Sequence, residues 1–465
     1  MLSYGFARDM KRPHLSKKII IRYIRDHGHK FFLGLVLCGF VLQACFYAVY
    51  IRQNVIPDEH YHTFLSQEYS KTWGIPANSS DTYWLGDITT KPPVYHWIMG
   101  RFVQANFTGV DDYLVLRMVN VAFSVGTLLV TYAIGRVVFT SKWLQILPVF
   151  VLSQIPMFVF LSSGVNYDNL LNLFAAFSVL FFLKVLKDQS LINFGLMLVF
   201  LFAGCLTKVT MLPLLVGMGV VLAIDIVMRR SLYLQSVRSF RLRERSIVII
   251  IVVVATLGVG AVLLYGRNIL TYHAILPECD KVISESNCMS SAIYARSLEM
   301  RKSIDRSALL NPVSYLYPWA KTMVPLVFGL IGHQVLGRSL HDIIPFCVVF
   351  LASGVLFVQV WKKVPVVVWA AVTISLLYVL VLVYYQNYST YLRTGDLYVA
   401  VQGRYVFPVL VPLITIVIWG LSQATDLKIR RLIISLSMLI FLWGNLGVLY
   451  LLVAMPGYRA AFLAI

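Results

Sequence analysis

Residues 31–51 read FFLGLVLCGFVLQACFYAVYI, an apolar run about as long as a helix must be to cross the core of a bilayer. Residues 11–30, directly before it, are rich in lysine and arginine. A cleaved signal peptide also has a basic start and an apolar core, but that core is shorter and precedes a cleavage site of small residues. Because this run ends at Tyr50-Ile51-Arg52, we predict a retained first transmembrane helix.

Ten further apolar runs follow, so we predict an all-α integral membrane protein with about eleven transmembrane helices. The composition agrees, because 59% of the 465 residues are hydrophobic and 13% are charged, against about 25% charged residues in an average soluble domain. A cytosolic enzyme, a disordered chain and a small disulfide scaffold are thereby excluded. The further predicted spans are residues 114–138, 143–162, 168–186, 190–207, 209–228, 247–267, 343–361, 365–385, 405–423 and 432–453.

The formal net charge of +19 would suggest a nucleic-acid partner in a soluble protein. In a membrane protein, however, basic residues collect in the cytoplasmic loops. With eleven spans, the cytoplasmic side receives the N-terminal basic stretch, the cluster at 229–245 and the pair Lys362 and Lys363. The charge pattern therefore predicts a cytoplasmic N-terminus and contact with anionic membrane lipids, and it argues against a nucleic-acid partner.

Residues 319–337 (WAKTMVPLVFGLIGHQVLG) are apolar enough to form a twelfth span. If they crossed the membrane, Lys362 and Lys363 would face outward, against the usual placement of basic residues. We therefore predict that residues 319–337 form a re-entrant or interfacial segment within a long extracytoplasmic loop.

This topology divides the chain into four predicted regions. They are a cytoplasmic basic N-terminus (1–30), an N-terminal transmembrane catalytic module (31–267) with its first extracytoplasmic loop at 52–113, the long extracytoplasmic loop (268–342) and a C-terminal transmembrane module (343–465). Cys279 and Cys288 lie nine positions apart in the long loop. On an oxidising face they could form a local disulfide, or they could remain free thiols.

The unusual polar residues all fall on the extracytoplasmic side of this topology. They occur in PDEHYH (57–62), KPPVYHW (91–97), NYDN (166–169), Thr207-Lys208 and QGRY (402–405). An ionisable residue at membrane depth is costly and by default indicates a functional site. Five such groups on one face predict a shared extracytoplasmic pocket.

The residue types in these groups suit chemistry on a lipid phosphate. The predicted catalytic residues are carboxylates near an apolar boundary, where desolvation favours a general base: Asp58, Glu59 and Asp168. The predicted substrate-binding residues add cations for a phosphate and polar rings beside them: His62, Lys91, Tyr95, Lys208, Arg404 and Tyr405. A carboxylate base beside phosphate-binding cations describes a site for a lipid-phosphate leaving group.

Structural roles remain as alternatives for each of these residues. Asp58 and Asp168 could cap helices, and Lys91 could be a solvated lysine in an extended turn. Lys208 and Arg404 could simply anchor the protein in the membrane by extending their charged ends to the headgroup region.

A metal site is a further alternative. If residues 59–64 are helical, Glu59 and His62 share one face and could hold a divalent ion. The sequence contains no HExxH or paired-cysteine pattern, so no cofactor is firmly predicted. Metal dependence stays open.

The motifs in this order resemble a known superfamily. The Asp-Glu pair after the first span and the Lys-Pro-Pro-x-Tyr-x-Trp pattern at 91–97 are similar to the GT-C membrane glycosyltransferases, which include the protein O-mannosyltransferases and the aminoarabinose transferase of lipid A. More narrowly, the motifs at 57–62, 166–168 and 402–405, with Pro408, resemble a GT-C-like bacterial group of multi-spanning predicted membrane proteins. The resemblance extends from residue 31 to about residue 410.

The resemblance implies a GT-C-like bundle whose extracytoplasmic loops carry short interfacial helices. It also implies transfer of a sugar from a polyprenyl-phosphate donor to a lipid, glycan or protein acceptor on the extracytoplasmic face, with inversion. Asp58 would be the base or acceptor-positioning carboxylate, and Asp168 would help to hold one substrate. Lys91 would bind the carrier phosphate, with Arg404 as a second ligand. Many relatives carry a further outer domain after the last span, so here residues 268–342 would have to recognise the acceptor.

Two other functions compete with this interpretation. A transporter or flippase of a lipid-linked sugar would also need cations facing a cavity, but the sequence shows no inverted repeat and its polar groups favour one face. A non-enzymatic envelope assembly factor would give Asp168 and Lys208 no reason to lie beside the bilayer. The absence of a GxxxxGK[ST] loop agrees with a reaction driven by an activated donor rather than a nucleotide.

Overall fold

The computed structural model describes residues 17–239, 245–331, 335–336, 340–399 and 401–464. Residues 1–16 of the predicted cytoplasmic N-terminus lie outside these ranges, as do parts of the basic cluster at 229–245 and of the segment 319–337. In the described ranges, nine helical segments are long and apolar enough to cross a membrane. They are His27–Tyr50, Asp112–Val138, Tyr167–Asp188, Val209–Met228, Ile247–Tyr272, Asp342–Gln359, Val366–Thr394, Gly403–Leu421 and Leu427–Ala454.

The N-terminal half contains eleven α-helices. They are α1 (Lys17–Tyr50), α2 (Glu59–Ser70), α3 (Val94–Gln104), α4 (Asp112–Val138), α5 (Leu147–Ser153), α6 (Pro156–Ser162), α7 (Tyr167–Asp188), α8 (Leu191–Cys205), α9 (Leu212–Met228), α10 (Arg230–Ser239) and α11 (Arg245–Tyr272). Short 3₁₀ turns occur at Tyr83–Leu85 and Val209–Met211. Helices α2 and α3 lie in the predicted first loop, as the resemblance implies for interfacial helices.

The C-terminal half adds ten α-helices and one small hairpin. They are α12 (Cys279–Val282), α13 (Glu285–Cys288), α14 (Ala292–Lys302), α15 (Pro312–Phe328), β1 (Leu330–Ile331), β2 (Val335–Leu336), α16 (Leu340–Gln359), α17 (Val366–Val381), α18 (Ser389–Thr394), α19 (Leu410–Leu421), α20 (Leu427–Ala454) and α21 (Pro456–Phe462). A π-helix at Leu382–Tyr388 joins α17 to α18, and 3₁₀ turns lie at Arg306–Ala308, Trp361–Lys363 and Gly403–Val409.

The prediction of about eleven spans agrees with this arrangement. The predicted span 143–162 is the broken pair α5 and α6, which Pro156 separates because proline cannot donate the helix hydrogen bond. The predicted span 190–207 is α8, a shorter apolar helix of 15 residues. The all-α fold class is confirmed, with the antiparallel pair β1–β2 as a small exception.

The segment 319–337 does not form a long apolar helix in its described part. Helix α15 ends at Phe328, and β1 pairs with β2 so that Leu330 lies opposite Leu336. Residues 332–334 and 337 lie outside the described ranges. This break in the helix agrees with a re-entrant or interfacial segment, whose membrane position stays a prediction.

Two close backbone approaches bring the polar motifs together. A Cβ atom at Gly100 would lie 2.9 Å from backbone atoms of Ser66 and Ser70, so only glycine lets α3 pack this closely on α2. A Cβ atom at Gly403 would collide with the backbone of Leu326 in α15. Glycine in the QGRY motif therefore lets α15 lie directly against the turn that carries Arg404.

Cys279 and Cys288 form a disulfide in the loop after α11, with their Cα atoms 5.8 Å apart. The sequence left this pairing open. The bond closes α12 and α13 into a compact turn that packs on the Tyr83–Leu85 segment.

Candidate active site

A cavity of about 650 Å³ lies at one end of the helix bundle. Its walls come from the segment after α1, the Lys-Pro motif, the turn between α8 and α9, the loop after α11 and the QGRY motif. Six of the nine predicted site residues line it: Asp58, His62, Lys91, Lys208, Arg404 and Tyr405. Asp168 is joined to them by ion pairs, whereas Glu59 and Tyr95 do not line the cavity.

Arg404 is the centre of the ion-pair network. Its Nη2 donates to Asp58 Oδ2 at 2.5 Å, and its Nε donates to Gln402 Oε1 at 2.6 Å. The same Nε lies 3.6 Å from Asp168 Oδ2, too far for a hydrogen bond but close enough for ionic attraction. Its Nη1 has no hydrogen-bond partner in the described part of the chain, although the guanidinium is only 1% exposed. A buried cation with an unused donor is suited to binding an anion.

Asp58 is the most accessible carboxylate of this network. Its side chain is 41% exposed, against 2% for Asp168. The residue has a left-handed conformation, with φ 56° and ψ 15°, and its side chain does not cap α2. The capping alternative for Asp58 is therefore wrong. A non-glycine residue with positive φ is strained, and the strain here turns a carboxylate into a cavity.

Asp168 and Lys208 form a buried ion pair beside Arg404. Lys208 Nζ lies 2.6 Å from Asp168 Oδ1, and the two side chains are 7% and 2% exposed. The ammonium also lies 4.2 Å from the centre of the Tyr167 ring and 4.8 Å from that of Tyr405. The cap of α7 is the side chain of Asn166, not that of Asp168. Both structural alternatives, a capping aspartate and a lone snorkelling lysine, are thus wrong.

Glu59 is held by an arginine and by backbone N–H groups. Its oxygens accept hydrogen bonds from Arg117 Nε at 2.7 Å and Nη2 at 2.8 Å, and from the backbone N–H groups of Asn54 and Val165. Arg117 Nη1 also donates to the carbonyls of Ala48 and Ile51 at 2.8 Å each. Glu59 is fully buried with both oxygens occupied, and it joins the start of α2 to the end of α1 without lining the cavity.

Lys91 lines the cavity without a fixed partner. In the residues that the structure describes, its ammonium makes no hydrogen bond or ion pair. Burial lowers the pKa of Lys91, and the negative charges of Asp87 and Glu278 oppose this effect only in part. Asp87 is occupied elsewhere, since it accepts hydrogen bonds from Asn78 and from the adjacent threonines. Lys91 is therefore a partly buried cation available to an anion in the cavity.

The loop after α11 supplies the wall that carries Glu278. Both oxygens of Glu278 accept from Arg301, at 2.6 and 2.9 Å, and Arg393 of α18 donates to the same carboxylate at 3.2 Å. Arg301 lines the cavity together with Tyr294 of α14. Part of the predicted loop 268–342 is thus a wall of the cavity.

Two histidines lie next to each other on the cavity wall. Nδ1 of His62 is 2.9 Å from Nε2 of His96, and the His62 ring also packs on Tyr167 with centroids 4.3 Å apart. Burial lowers the pKa of His96 to about 3. Burial also lowers the pKa of His62, and the positive charges of Arg404 and Lys208 act in the same direction. Both imidazoles are therefore neutral at physiological pH.

The two predicted tyrosines differ in position. Tyr95 is fully buried behind the cavity, where its hydroxyl exchanges hydrogen bonds with Asn120. Tyr405 lines the cavity, and its ring contacts Lys208 and Arg404. Tyr95 therefore supports the wall, whereas Tyr405 can reach a ligand.

Some residues of this region were not predicted. Arg117 interrupts the apolar run 114–138, and an ionisable residue inside a predicted span is a signal that could have found it. Gln402 lies in a quoted motif, but nothing in the sequence showed that it would hold Arg404. His96 lies in the quoted motif at 91–97, but nothing in the sequence showed that it would pair with His62. Glu278 and Arg301 carried no signal, because they resemble ordinary charged loop residues.

The structure contains no cluster that fits a metal site in its described residues: no three His, Cys, Asp or Glu side chains are arranged to hold an ion. Glu59 and His62, the predicted pair for a divalent ion, are bound instead to Arg117 and His96. A divalent ion remains an alternative that rests on the sequence.

The chain is distantly similar to solved structures. No curated protein matches the sequence, and four chains of solved structures do. Two crystal structures of ArnT from Cupriavidus metallidurans, in the apo state and bound to undecaprenyl phosphate, are each 13% identical, with TM-scores of 0.48 and 0.47. Each alignment covers 84% of this chain and 60% of the ArnT chain, so the chain spans less than two thirds of that protein's length.

Residues 90–258 match the family model described as dolichyl-phosphate-mannose-protein mannosyltransferase. The matched region runs from the Lys-Pro motif through the Asn-Tyr-Asp motif to α11, and so it includes Lys91, Asp168 and Lys208. The match covers about a third of the chain, and it agrees with the predicted resemblance to the GT-C membrane glycosyltransferases.

Proposed function

We propose that this protein transfers a sugar from a polyprenyl-phosphate donor to a hydroxyl-bearing lipid, glycan or protein acceptor at the extracytoplasmic face of a membrane. The observation that carries the proposal is the meeting of Asp58, Lys91 and Arg404, far apart in the sequence, on the walls of one cavity. The family description names a dolichyl-phosphate sugar as donor. The extracytoplasmic location rests on the distribution of basic residues.

The cations of the cavity would bind the leaving group. When the bond between the anomeric carbon and the phosphate oxygen breaks, its electron pair stays on the phosphate. Lys91 and the unpaired Nη1 of Arg404 are the donors available to this negative charge. In a site shielded from water such fixed cations stabilise the developing charge more strongly than solvent does.

Asp58 would serve the acceptor. The acceptor oxygen attacks the anomeric carbon from the face opposite the phosphate, and its proton passes to the carboxylate of Asp58. This single displacement inverts the configuration at the anomeric carbon. Arg404 holds Asp58 in place through the 2.5 Å hydrogen bond, so one residue orients both the base and the phosphate.

The remaining predicted residues would act as supports. The Lys208–Asp168 pair lies against Arg404 and limits where its guanidinium can move. The Glu59–Arg117 pair fixes the turn that presents Asp58. We thus assign positioning roles, not substrate contacts, to Glu59 and Asp168.

The proposal is tested in a strain that lacks the gene, complemented with variants. Mass spectrometry of lipid-linked intermediates and surface glycans identifies the product that the wild-type gene restores. We expect Asp58→Asn and Lys91→Ala each to abolish it, by at least about 100-fold, because each removes an interaction formed in the transition state.

Matched controls lie in the same loop. Asp81 and Lys71 are exposed, so Asp81→Asn and Lys71→Ala should restore the product fully at equal membrane levels. Full turnover in both Asp58→Asn and Lys91→Ala would contradict the proposal. Transport of a lipid-linked sugar without transfer would survive Asp58→Asn, so that result would favour a flippase.

A further inference from the structure

The two buried histidines of the cavity form a pair whose chemistry the transfer reaction does not use. His62 lies on α2 and His96 on α3, and their side chains are 2% and 4% exposed. Their rings stack with centroids 5.2 Å apart and an interplanar angle of 20°. In the 2.9 Å contact between Nδ1 of His62 and Nε2 of His96, one nitrogen must donate and the other accept. The proton position on one ring therefore fixes that on the other.

The outer nitrogen of this pair has no partner. Nε2 of His62 is buried and makes no hydrogen bond in the described part of the chain, although its side chain lines the cavity. Nη1 of Arg404 and Oγ1 of Thr210 are unpaired in the same way and line the same cavity. Buried polar atoms are normally satisfied by the protein, by ordered water or by a bound molecule. A sugar hydroxyl both donates and accepts, so it would satisfy a bare nitrogen and a cationic donor together.

The surrounding charges indicate which His62 nitrogen carries the proton. Arg404 and Lys208 line the same cavity as His62, and the Lys208 ammonium and the His62 ring lie 4.2 and 4.3 Å from the centre of the same Tyr167 ring. Nδ1 of His62 is occupied by His96, so Nε2 is the ring nitrogen left to interact with the cavity that these cations line. Positive charge in that cavity favours a lone pair on Nε2 over an N–H. His62 then donates through Nδ1 to His96 and presents Nε2 as an acceptor.

We propose that His62 and His96 form a hydroxyl-recognition pair: His62 Nε2 accepts a hydrogen bond from a hydroxyl group of the donor sugar, and His96 is the positioning residue that fixes the tautomer. This inference rests on the proposed glycosyl transfer and assigns a sugar-specific contact within that site. Tyr61 and Tyr167 line the cavity beside the pair and offer ring faces to the same sugar.

Binding of two probes to the full chain in detergent separates the sugar contact from the phosphate contact. The probes are bare undecaprenyl phosphate and the tightest-binding member of a panel of undecaprenyl-phosphate hexoses and pentoses. The ratio of their affinities is the sugar preference. We expect His62→Phe to lower this ratio about 3- to 10-fold, as the loss of one neutral hydrogen bond does, while the affinity for bare undecaprenyl phosphate stays unchanged.

Two control variants distinguish the loss of a sugar contact from the loss of folded protein. His60 is exposed and packs on Trp84 outside the cavity, so His60→Phe should leave both affinities unchanged. In His62→Gln the amide oxygen can still accept, so part of the preference should remain. An unchanged ratio in His62→Phe overturns the proposal, and so does an equal loss of affinity for both probes.

The role of His96 is read from ¹⁵N spectra of protein labelled at histidine, with the His62 signals identified by their loss in His62→Gln. We expect Nε2 of His62 to be unprotonated in the wild type and this tautomer preference to be lost in His96→Phe. A protonated Nε2 in the wild type overturns the proposal.

These measurements need no turnover, so they separate the two proposals. A His62-dependent sugar preference in a chain that transfers no sugar would contradict the proposed function alone. A wild-type ratio of one would overturn the histidine pair, whatever the transfer assay shows.

Discussion

Arg404 lies between two carboxylates of different kinds. It donates to the accessible Asp58 at 2.5 Å and lies 3.6 Å from the buried Asp168, which Lys208 already holds at 2.6 Å. Because Lys208 neutralises Asp168, the guanidinium is left to Asp58 and to an incoming anion. The orientation of Arg404 thus depends on a lysine that touches neither the phosphate nor the acceptor in our proposal.

This arrangement gives a prediction for the Asp168–Lys208 pair. Lys208→Met leaves a buried carboxylate beside Arg404 and should lower the free energy of unfolding by about 3 kcal/mol, since an unpaired buried charge is costly. The double variant Asp168→Asn/Lys208→Met removes both charges and should regain most of that stability. Transfer should stay at least about tenfold low in both variants, because Arg404 loses its support. Thermal unfolding in detergent and product yield are the two measurements.

We predict that the affinity for the carrier phosphate depends on pH through Lys91. Burial lowers the pKa of Lys91, and a lysine is charged only below its pKa. As pH rises through this lowered pKa, the ammonium loses its charge, so affinity for the carrier phosphate falls at a lower pH than for an exposed lysine. Lys91→Arg stays charged at every working pH, and it should remove this alkaline loss while keeping neutral-pH binding within about tenfold. Undecaprenyl phosphate affinity measured against pH tests this, and identical profiles for wild type and Lys91→Arg would contradict it.

At the scale of elements, Arg117 ties three segments together. From α4 it donates to the carbonyls of Ala48 and Ile51 at the end of α1, and it binds both oxygens of Glu59 at the start of α2. Val165, just before α7, donates to the same carboxylate at 3.1 Å. The turn that carries Asp58 is therefore fixed from one side by α4 and from the other by the approach to α7.

The Glu59–Arg117 pair should behave differently from the pair beside Arg404. Glu59→Gln removes one buried charge, and we expect a loss of about 3 kcal/mol in the free energy of unfolding. Glu59→Gln/Arg117→Met should regain a large part of this loss and, with it, most of the transfer activity, because neither residue lines the cavity. Stable double variants that remain inactive would instead show that Glu59 acts in the reaction, as the sequence first suggested.

Some features of these elements could be predicted from the sequence and others could not. Hydropathy located most of the spans within a few residues, as for 209–228 and α9 with its preceding turn, because a membrane imposes length and apolarity on each helix alone. The common sidedness of the polar motifs predicted that Asp58, Lys91 and Arg404 would meet. The pairings of Glu59 with Arg117 and of His62 with His96 could not be predicted from the sequence, because they depend on packing between distant segments. For the same reason, nothing in the sequence indicated the π-helix at Leu382–Tyr388.

At the scale of the whole molecule, the proposed function depends on sidedness. The cavity-forming segments all lie at one end of the bundle, and Lys362 and Lys363 lie in a turn between α16 and α17 that does not contribute to the cavity. Basic residues in a turn such as this one together favour its cytoplasmic location by a few kcal/mol. We therefore predict that the turn at Lys363 and the cavity face opposite sides of the membrane.

A pair of accessibility measurements checks this prediction in intact cells. A reporter inserted after Lys363 should be cytoplasmic. A single cysteine at exposed Asp81, in the loop that carries Lys91, should react with an impermeant thiol reagent from outside. The endogenous thiols of the described region, Cys38, Cys45, Cys205 and Cys347, are replaced by serine or alanine for this purpose. If the reporter were outside and Asp81→Cys were protected, the cavity would face the cytoplasm, and an extracytoplasmic polyprenyl-phosphate sugar could not reach Lys91 and Arg404.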